Sequence, residues 1–485
     1  MIFSRAFSTS QIAFKAFKKG PKLSPSVKQP GKGKTVLAKK LTRRQEVSMP
    51  VKRTIKATTL DMGNFLKLTG VTSAERTTHK NLLEKVASFD ELKVSSTVRE
   101  RILADGKIKT PTPIQKVTIK ALRARSKAGI RSWLLAAETG SGKTLAYLAP
   151  LLSNLADDPR PEGPCLRSII LVPTIELIEQ IEKEIKRFSP PNIKLFAETV
   201  PSTARLTKVI AQGLDILVTT PDKLLNFCKQ SPSMQRRVTP LTKYVIVDEA
   251  DSLLNESFKE STLEAISKCE ELSDLVFCTA TIPTSFDKEL RKNYPECNRL
   301  ITPSIHRLPR HIEFKVIDVW RPPYHDNKDL ALQQALYMLY NDNTEPRNVK
   351  RALVFVNKKG QVQPLVKMLQ SHGYDSVGID GTMTREERHQ CLQDFVEPPK
   401  ERLPEDAPLK VLVGTDLIAR GIDMNRIRNV ILYDMPWSAA DLLHRAGRTG
   451  RLNSQGRVLL FVSRKDSNGW AKGLEKVVKQ GMALA

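Results

Sequence analysis

The chain has 485 residues, 40% hydrophobic and 27% charged, with a net charge of +26 and a pI near 9.8. That length exceeds what one hydrophobic core serves and predicts two or three domains, while the absence of any apolar run of ~18 residues argues against an integral membrane protein. The charge calls for a polyanionic partner, nucleic acid being the commonest, and Cys165, Cys228, Cys269, Cys278, Cys297 and Cys391 show no C-x-x-C pair, which argues against disulfides and structural zinc.

Residues 1–20, "MIFSRAFSTSQIAFKAFKKG", predict a basic amphipathic helix of the kind that directs import into the mitochondrial matrix, and Arg5-Ala6-Phe7-Ser8 resembles a processing site. The other reading is a solvated arm that binds nucleic acid directly, in which Ile2, Phe3, Phe7, Ile12, Phe14 and Phe17 would be out of place. Twelve Lys and Arg residues precede Glu46, the first acidic residue, and the rest of the chain still carries +14. Residues 21–85 are polar, basic and broken by Pro25, Pro30 and Pro50, an extension expected to have little fixed structure.

From residue 86 the pattern changes to short apolar runs separated by helical stretches. "RSWLL" (131–135), "SIILV" (168–172), "DILVTT" (215–220), "KYVIVDEAD" (243–251) and "LVFCTAT" (275–281) come first. After a pause at "TPSIHRLPRH" (302–311) follow "RALVFVN" (351–357), "LKVLVGTD" (409–416), "RNVILYD" (428–434) and "GRVLLFVS" (456–463). Continuous rather than alternating apolar character predicts strands covered on both faces, hence parallel sheets in an α/β arrangement. The division is a first domain over 86–303, a linker over 304–312, a second domain over 313–465 and a short C-terminal tail over 466–485.

"AAETGSGKT" (136–144) lies between a predicted strand and the amphipathic "KTLAYLAPLLSNLA", with Ala137 where the phosphate-loop pattern has its first glycine. In that context the backbone N–H groups of Gly140, Ser141, Gly142, Lys143 and Thr144 can converge on phosphate oxygens at a helix N-terminus. Lys143 would supply a point charge, and Thr144 a hydroxyl for Mg²⁺. Alanine at the first position adds one methyl group and leaves the loop able to close. By itself this loop leaves every such nucleotide-binding protein open. "VIVDEAD" narrows the choice: Asp248 ends a buried strand, where it can hold Mg²⁺ through water, and Glu249 stands beside it to deprotonate an attacking water.

Asp248-Glu249-Ala250-Asp251 resembles the signature of the DEAD-box RNA helicases, and further motifs of that family appear in its order. Phe89 and "TPTPIQ" (110–115) resemble its adenine-reading motif, with Gln115 as the bidentate amide; "PTIEL" (173–177) and "TPDK" (220–223) resemble RNA-contact motifs; "TAT" (279–281) resembles its coupling motif. "LVFVN" (353–357), "GTMTREER" (381–388), "TDLIARGID" (415–423) and "HRAGRTGR" (444–451) complete the set, which covers about 89–465.

The resemblance implies two tandem RecA-like domains that hydrolyse ATP with Mg²⁺ when closed on RNA. It places ATP on Phe89, Gln115, Ala137, Glu138, Thr139, Gly140, Ser141, Gly142, Lys143 and Thr144, with Asp423 on the ribose and Mg²⁺ on Thr144 and Asp248. Arg448 and Arg451 become arginine fingers, and His444 communicates with Asp251, Thr279 and Thr281. RNA falls on Thr174, Thr220, Gly381, Arg388, Thr415 and Arg420. The partners implied are structured RNA, ribosomal RNA above all, and mitochondrial ribosome assembly intermediates, with the enzyme a monomer. Within the family the likeness points to fungal mitochondrial members that act in large-subunit ribosome assembly.

Several positions depart from the family pattern. Ile175 replaces its arginine, Asp222-Lys223 a Gly-Arg pair, Ile108 its adenine-stacking aromatic, Thr279 a serine and Arg385 a glutamine, and "TVPSTARL" (199–206) stands where its double-glycine motif is expected. The lost cation at 175 and the added anion at 222 are expected to weaken a phosphate track, and the basic extension is expected to compensate. Two other readings share the core. An ATP-gated RNA clamp would seldom turn over, and a DNA translocase would lack the adenine selectivity of Gln115.

Overall fold

The structure, a computed structural model, describes residues 68–70, 72, 86–106, 108–124, 130–197, 202–232, 239, 241–342, 350–396, 409–416, 427–450, 454–466 and 470–484. The proposed import segment, most of the basic extension, and Arg420, Asp423 and Arg451 lie outside them. The chain from Met62 onward forms one compact unit containing two parallel sheets.

The first lobe carries β1 (Arg131–Ala136), β2 (Leu166–Leu171), β3 (Leu195–Phe196), β4 (Leu214–Thr219), β5 (Tyr244–Asp248), β6 (Asp274–Thr279) and β7 (Asn298–Ile301) in the spatial order β3-β4-β2-β5-β6-β1-β7. β2, β4 and β6 are buried at every residue, as their unbroken apolar runs predict, because separate clusters of side chains cover the two sheet faces. The second lobe carries β8 (Ile312–Asp318), β9 (Lys350–Phe355), β10 (Asp375–Ile379), β11 (Leu409–Gly414), β12 (Asn429–Leu432) and β13 (Gly456–Val462) in the order β10-β11-β9-β12-β13-β8.

The helices that bear on function are α1 (Pro113–Leu122), α2 (Lys143–Asp157), α3 (Ile175–Phe188), α4 (Pro221–Gln230), α5 (Ala250–Leu253), α6 (Arg385–Val396), α7 (Ala439–Ala446) and α8 (Trp470–Lys479). α3 shows the usual origin of such a helix. Leu177, Ile178, Ile181, Ile185 and Phe188 recur on one buried face, and the Thr174 hydroxyl accepts a hydrogen bond from Leu177 N–H at its start.

Two segments are more structured than the sequence suggests. The residues read as a tail include α8, whose Ala471, Leu474, Val477 and Val478 enter the second-lobe core, because their three- and four-residue spacing makes an apolar face that packs on β8. Within the extension, Leu68 pairs antiparallel with Pro283 and joins that same core. The connection 302–311 is anchored at both ends, with Ile305 in the first-lobe core and Leu308 in the second.

Candidate active site

Apart from Phe89 and Gln115, which precede β1, each predicted nucleotide residue of the first lobe lies at or just beyond a strand's C-terminal end, where open α/β sheets place ligands. Following β1, Ala137 is fully enclosed and its N–H donates to Thr279 O at 3.3 Å. The missing glycine is therefore accommodated in the core, and the loop draws its turn from Gly140 and Gly142, at φ 75° and 86°. A side chain on Gly142 would collide with Gln115. Gln115 is buried, accepts Thr112 N–H (2.9 Å) and donates to Gly142 O (3.1 Å), so the predicted adenine reader also ties α1 to the loop. One amide hydrogen and one lone pair remain on it for a base.

Lys143 opens α2 and donates to Ala137 O (2.9 Å) and Glu138 O (3.0 Å), which leaves one ammonium hydrogen directed elsewhere. The Ser141 hydroxyl is buried and finds no hydrogen-bond partner among the described residues. Phe89, at 1% exposure, belongs to the first-lobe core, in the turn packed against α1. Ile108 likewise packs on that core.

At the end of β5, Asp248 is buried, accepts the Tyr147 hydroxyl (2.8 Å) and accepts Glu249 N–H (2.9 Å). Burial first, then the neighbouring Glu249 carboxylate, push its pKa up to about 6. Glu249 adopts φ 51°, a left-handed conformation unusual for its type. Its Oε2 is buried with no hydrogen-bond partner among the described residues. Two adjoining carboxylates, one raised by burial and one with an unsatisfied oxygen, fit a site completed by a divalent cation and a water. Thr144 and Asp248 are the residues that would hold such a cation, which would neutralise phosphate charge, with Glu249 beside Asp248.

Asp251 Oδ2 accepts the Thr281 hydroxyl (2.5 Å) and lies 3.0 Å from His444 Nε2, which lies 3.2 Å from the same hydroxyl. Donor atoms of Glu249, Asp251 and His444 fall within 4.8 Å of one another, and the spacing of the last two is that of a hydrogen bond. Thr279 Oγ1 donates to Thr281 O (2.8 Å), closing the predicted coupling group. His444 sits on α7 of the second lobe, so this network crosses between lobes. Gly447, one residue past α7, packs so tightly on Thr139 that a methyl group there would overlap the threonine hydroxyl. Arg448 is buried next to it and donates from Nε to His444 O (3.2 Å).

The predicted RNA residues line the other half of each sheet edge. Thr174 and Thr220 follow β2 and β4 at the N-termini of α3 and α4, while Gly381 and Thr415 follow β10 and β11, and helix N-termini suit phosphates. Arg388 on α6 is committed more closely than expected, forming an ion pair with Glu176 of the first lobe at 2.9 Å. Asp222 occupies the first turn of α4, where it opposes a phosphate.

Tyr147 lies outside every motif read from the sequence, while Arg445 and Glu138 lie inside motifs and make contacts that the motifs do not announce. Tyr147 holds Asp248, and the fully enclosed Arg445 forks onto Asp416 (2.6 and 2.9 Å) and reaches Asn357 Oδ1 (2.9 Å). Glu138 Oε2 accepts the hydroxyls of Thr302 (3.0 Å) and Ser304 (2.7 Å).

The profile of the DEAD/DEAH box helicases matches residues 112–289, and that of the helicase conserved C-terminal domain matches 329–453. The mitochondrial ATP-dependent RNA helicase MRH4 of Vanderwaltozyma polyspora is 34% identical over 88% of this chain and 90% of its own length. Its counterpart in Scheffersomyces stipitis is 37% identical over 81% and 75%. In fold the chain resembles S. cerevisiae Dbp5 bound to RNA and ADP BeF3, with TM-score 0.63, 23% identity and coverage of 81% of this chain and 93% of the other. It also resembles the DEAD-box helicase Mss116 bound to ssRNA and UDP-BeF, with TM-score 0.66, 21% identity and coverage of 82% and 78%. Similar over most of its length to mitochondrial ATP-dependent RNA helicases named MRH4, the chain belongs to the DEAD/DEAH box helicases.

Proposed function

We propose that this chain remodels structured RNA in the mitochondrial matrix, with large-subunit ribosomal RNA and its assembly intermediates as substrate, and that it works as a monomer. As a member of its family it is an ATP-dependent RNA helicase, hence an RNA-dependent ATPase. The observation that carries the mechanism is the contact of Gly447 with Thr139 together with the Thr281–Asp251–His444 network. Closure of the lobes brings Arg448, and with it the neighbouring Arg451, toward the phosphate loop that holds Lys143. Glu249 then takes the proton of the attacking water, and Thr144 and Asp248 would hold Mg²⁺, which would supply charge neutralisation. Gln115 reads adenine and Asp423 takes the ribose. RNA runs over Thr174, Thr220, Gly381, Arg388, Thr415 and Arg420, held by phosphate and sugar, and its own closure-dependent binding distorts a duplex.

The test is RNA-stimulated ATPase of the wild type and Glu249→Gln. Loss of a general base predicts a fall of ~10²- to 10⁴-fold in kcat with nucleotide affinity retained. Crosslinking in isolated mitochondria should enrich large ribosomal RNA; scattered messenger fragments would defeat the assembly role. A second reading, an ATP-gated clamp with little turnover, is favoured by Asp222 and by the commitment of Arg388 to Glu176. In that case the wild type would have little turnover for Glu249→Gln to remove.

A further inference from the structure

The connection between the lobes is fastened to the catalytic machinery at two points. At its start Thr302 N–H donates to Ala136 O (2.9 Å), and the hydroxyls of Thr302 and Ser304 hold Glu138 of the phosphate loop. Two residues on, His306 is 1% exposed and adopts φ 61°, a conformation few non-glycine residues accept without a reason. Its Nε2 accepts the Ile282 N–H at 2.9 Å. That bond requires an unprotonated Nε2 and therefore a neutral ring, consistent with burial pushing the pKa of His306 down to about 4.

Ile282 directly follows Thr281. The peptide between them is consequently gripped on both edges, its carbonyl by Thr279 Oγ1 (2.8 Å) and its N–H by His306. Gripping this peptide limits rotation about Thr281 and so fixes where its hydroxyl points, which is at Asp251 and His444 across the lobe boundary. The main chain reinforces the arrangement. Ile282 O accepts Thr69 N–H and His306 O accepts Leu484 N–H, both at 2.8 Å. Glu138, Thr139, Ala280, His306, Leu308 and Leu443 line one small cavity, so the imidazole lies beside the phosphate loop as well as the coupling motif.

We propose that His306 is a positioning residue of the RNA-dependent ATPase. It ties the interlobe connection, already latched to the phosphate loop through Glu138, to the peptide after Thr281, so that loop and interlobe hydrogen bonds move together. The inference rests on the helicase reading above.

The experiment uses the full chain and compares wild type, His306→Ala, which removes the acceptor, and His306→Gln, whose side-chain oxygen can replace Nε2. Readouts are kcat with and without single-stranded RNA, KM for ATP, nucleotide-free RNA affinity and Tm. His306→Ala should lower RNA-stimulated kcat by about 10-fold or more while KM and RNA affinity stay within about 2-fold, and His306→Gln should recover at least about half of the loss, a split that a purely structural residue does not give. Should His306→Ala not fold, Ser304→Ala decides: it breaks one latch to Glu138 and should lower stimulated kcat by about 3-fold, and unchanged stimulation overturns the proposal. Stimulation retained in His306→Ala, or lost equally in both His306 variants in step with Tm, also overturns it. A wild type that RNA does not stimulate would instead sink the helicase reading, and this inference with it.

Discussion

A neutral imidazole enclosed beside the phosphate loop carries a penalty in acid. His306 has a folded pKa of about 4 against ~6.5 for an unfolded histidine. Between those values the unfolded chain binds a proton that the folded chain refuses. The His306 contribution is thus complete above ~pH 6.5 and is lost as pH falls toward ~4. Asp251 is the facing charge and opposes the shift, but burial outweighs it. Asp248, raised to about 6, works in the opposite sense, gaining a proton in the folded state first. The difference between wild type and His306→Gln isolates the histidine: lowering pH from ~7.5 to ~5 should cost the wild type more in Tm than the variant. Parallel losses would show that His306 titrates normally. Neither His306 nor Tyr147 is legible in the sequence, because each acts on a partner outside its own motif, Tyr147 on a carboxylate 101 residues away. Lys143, Asp248, Glu249 and His444 are legible because their motifs fix both the residue type and the loop that carries it.

Among the elements, strands covered on both faces announce themselves and edge strands do not. β2, β6, β9 and β11 lie in apolar runs and fall where those runs predict them. β8 alternates buried and exposed residues at its start because it is an edge with one neighbour, β13, and its Glu313 and Lys315 hide it among polar segments. β3 has two residues, too few for any period. α8 is hidden by its position after the last motif, although its apolar spacing is regular. Since Leu474 is fully enclosed on the inner face of α8 in the second-lobe core, Leu474→Ala should destabilise that lobe by ~2–5 kcal/mol. Hydrogen exchange would report it as faster exchange in β8 and β13 with the first lobe unchanged. Exchange no faster than in the wild type would mean that α8 merely decorates the surface.

At the scale of the molecule, the residues expected to meet RNA lie at the ends of β2, β4, β10 and β11, those expected to meet nucleotide at the ends of β1 and β5 with the coupling residues at the end of β6, and α7 folds over from the second lobe. Sequence spacing gives the order of these parts but not their meeting, which depends on side chains hundreds of residues apart. The sharpest point of that meeting is Gly447 on Thr139. There the enzyme has left room for a hydrogen atom and nothing larger. A single added methyl, as in Gly447→Ala, would act as a doorstop. It removes no charge and no ligand, so ATP should still enter the first lobe and RNA should still bind weakly, while turnover stimulated by RNA collapses because the jaws cannot shut. A two-colour distance measurement across the lobes would show the wild type snapping to a short distance with RNA and nucleotide, and the variant held ajar.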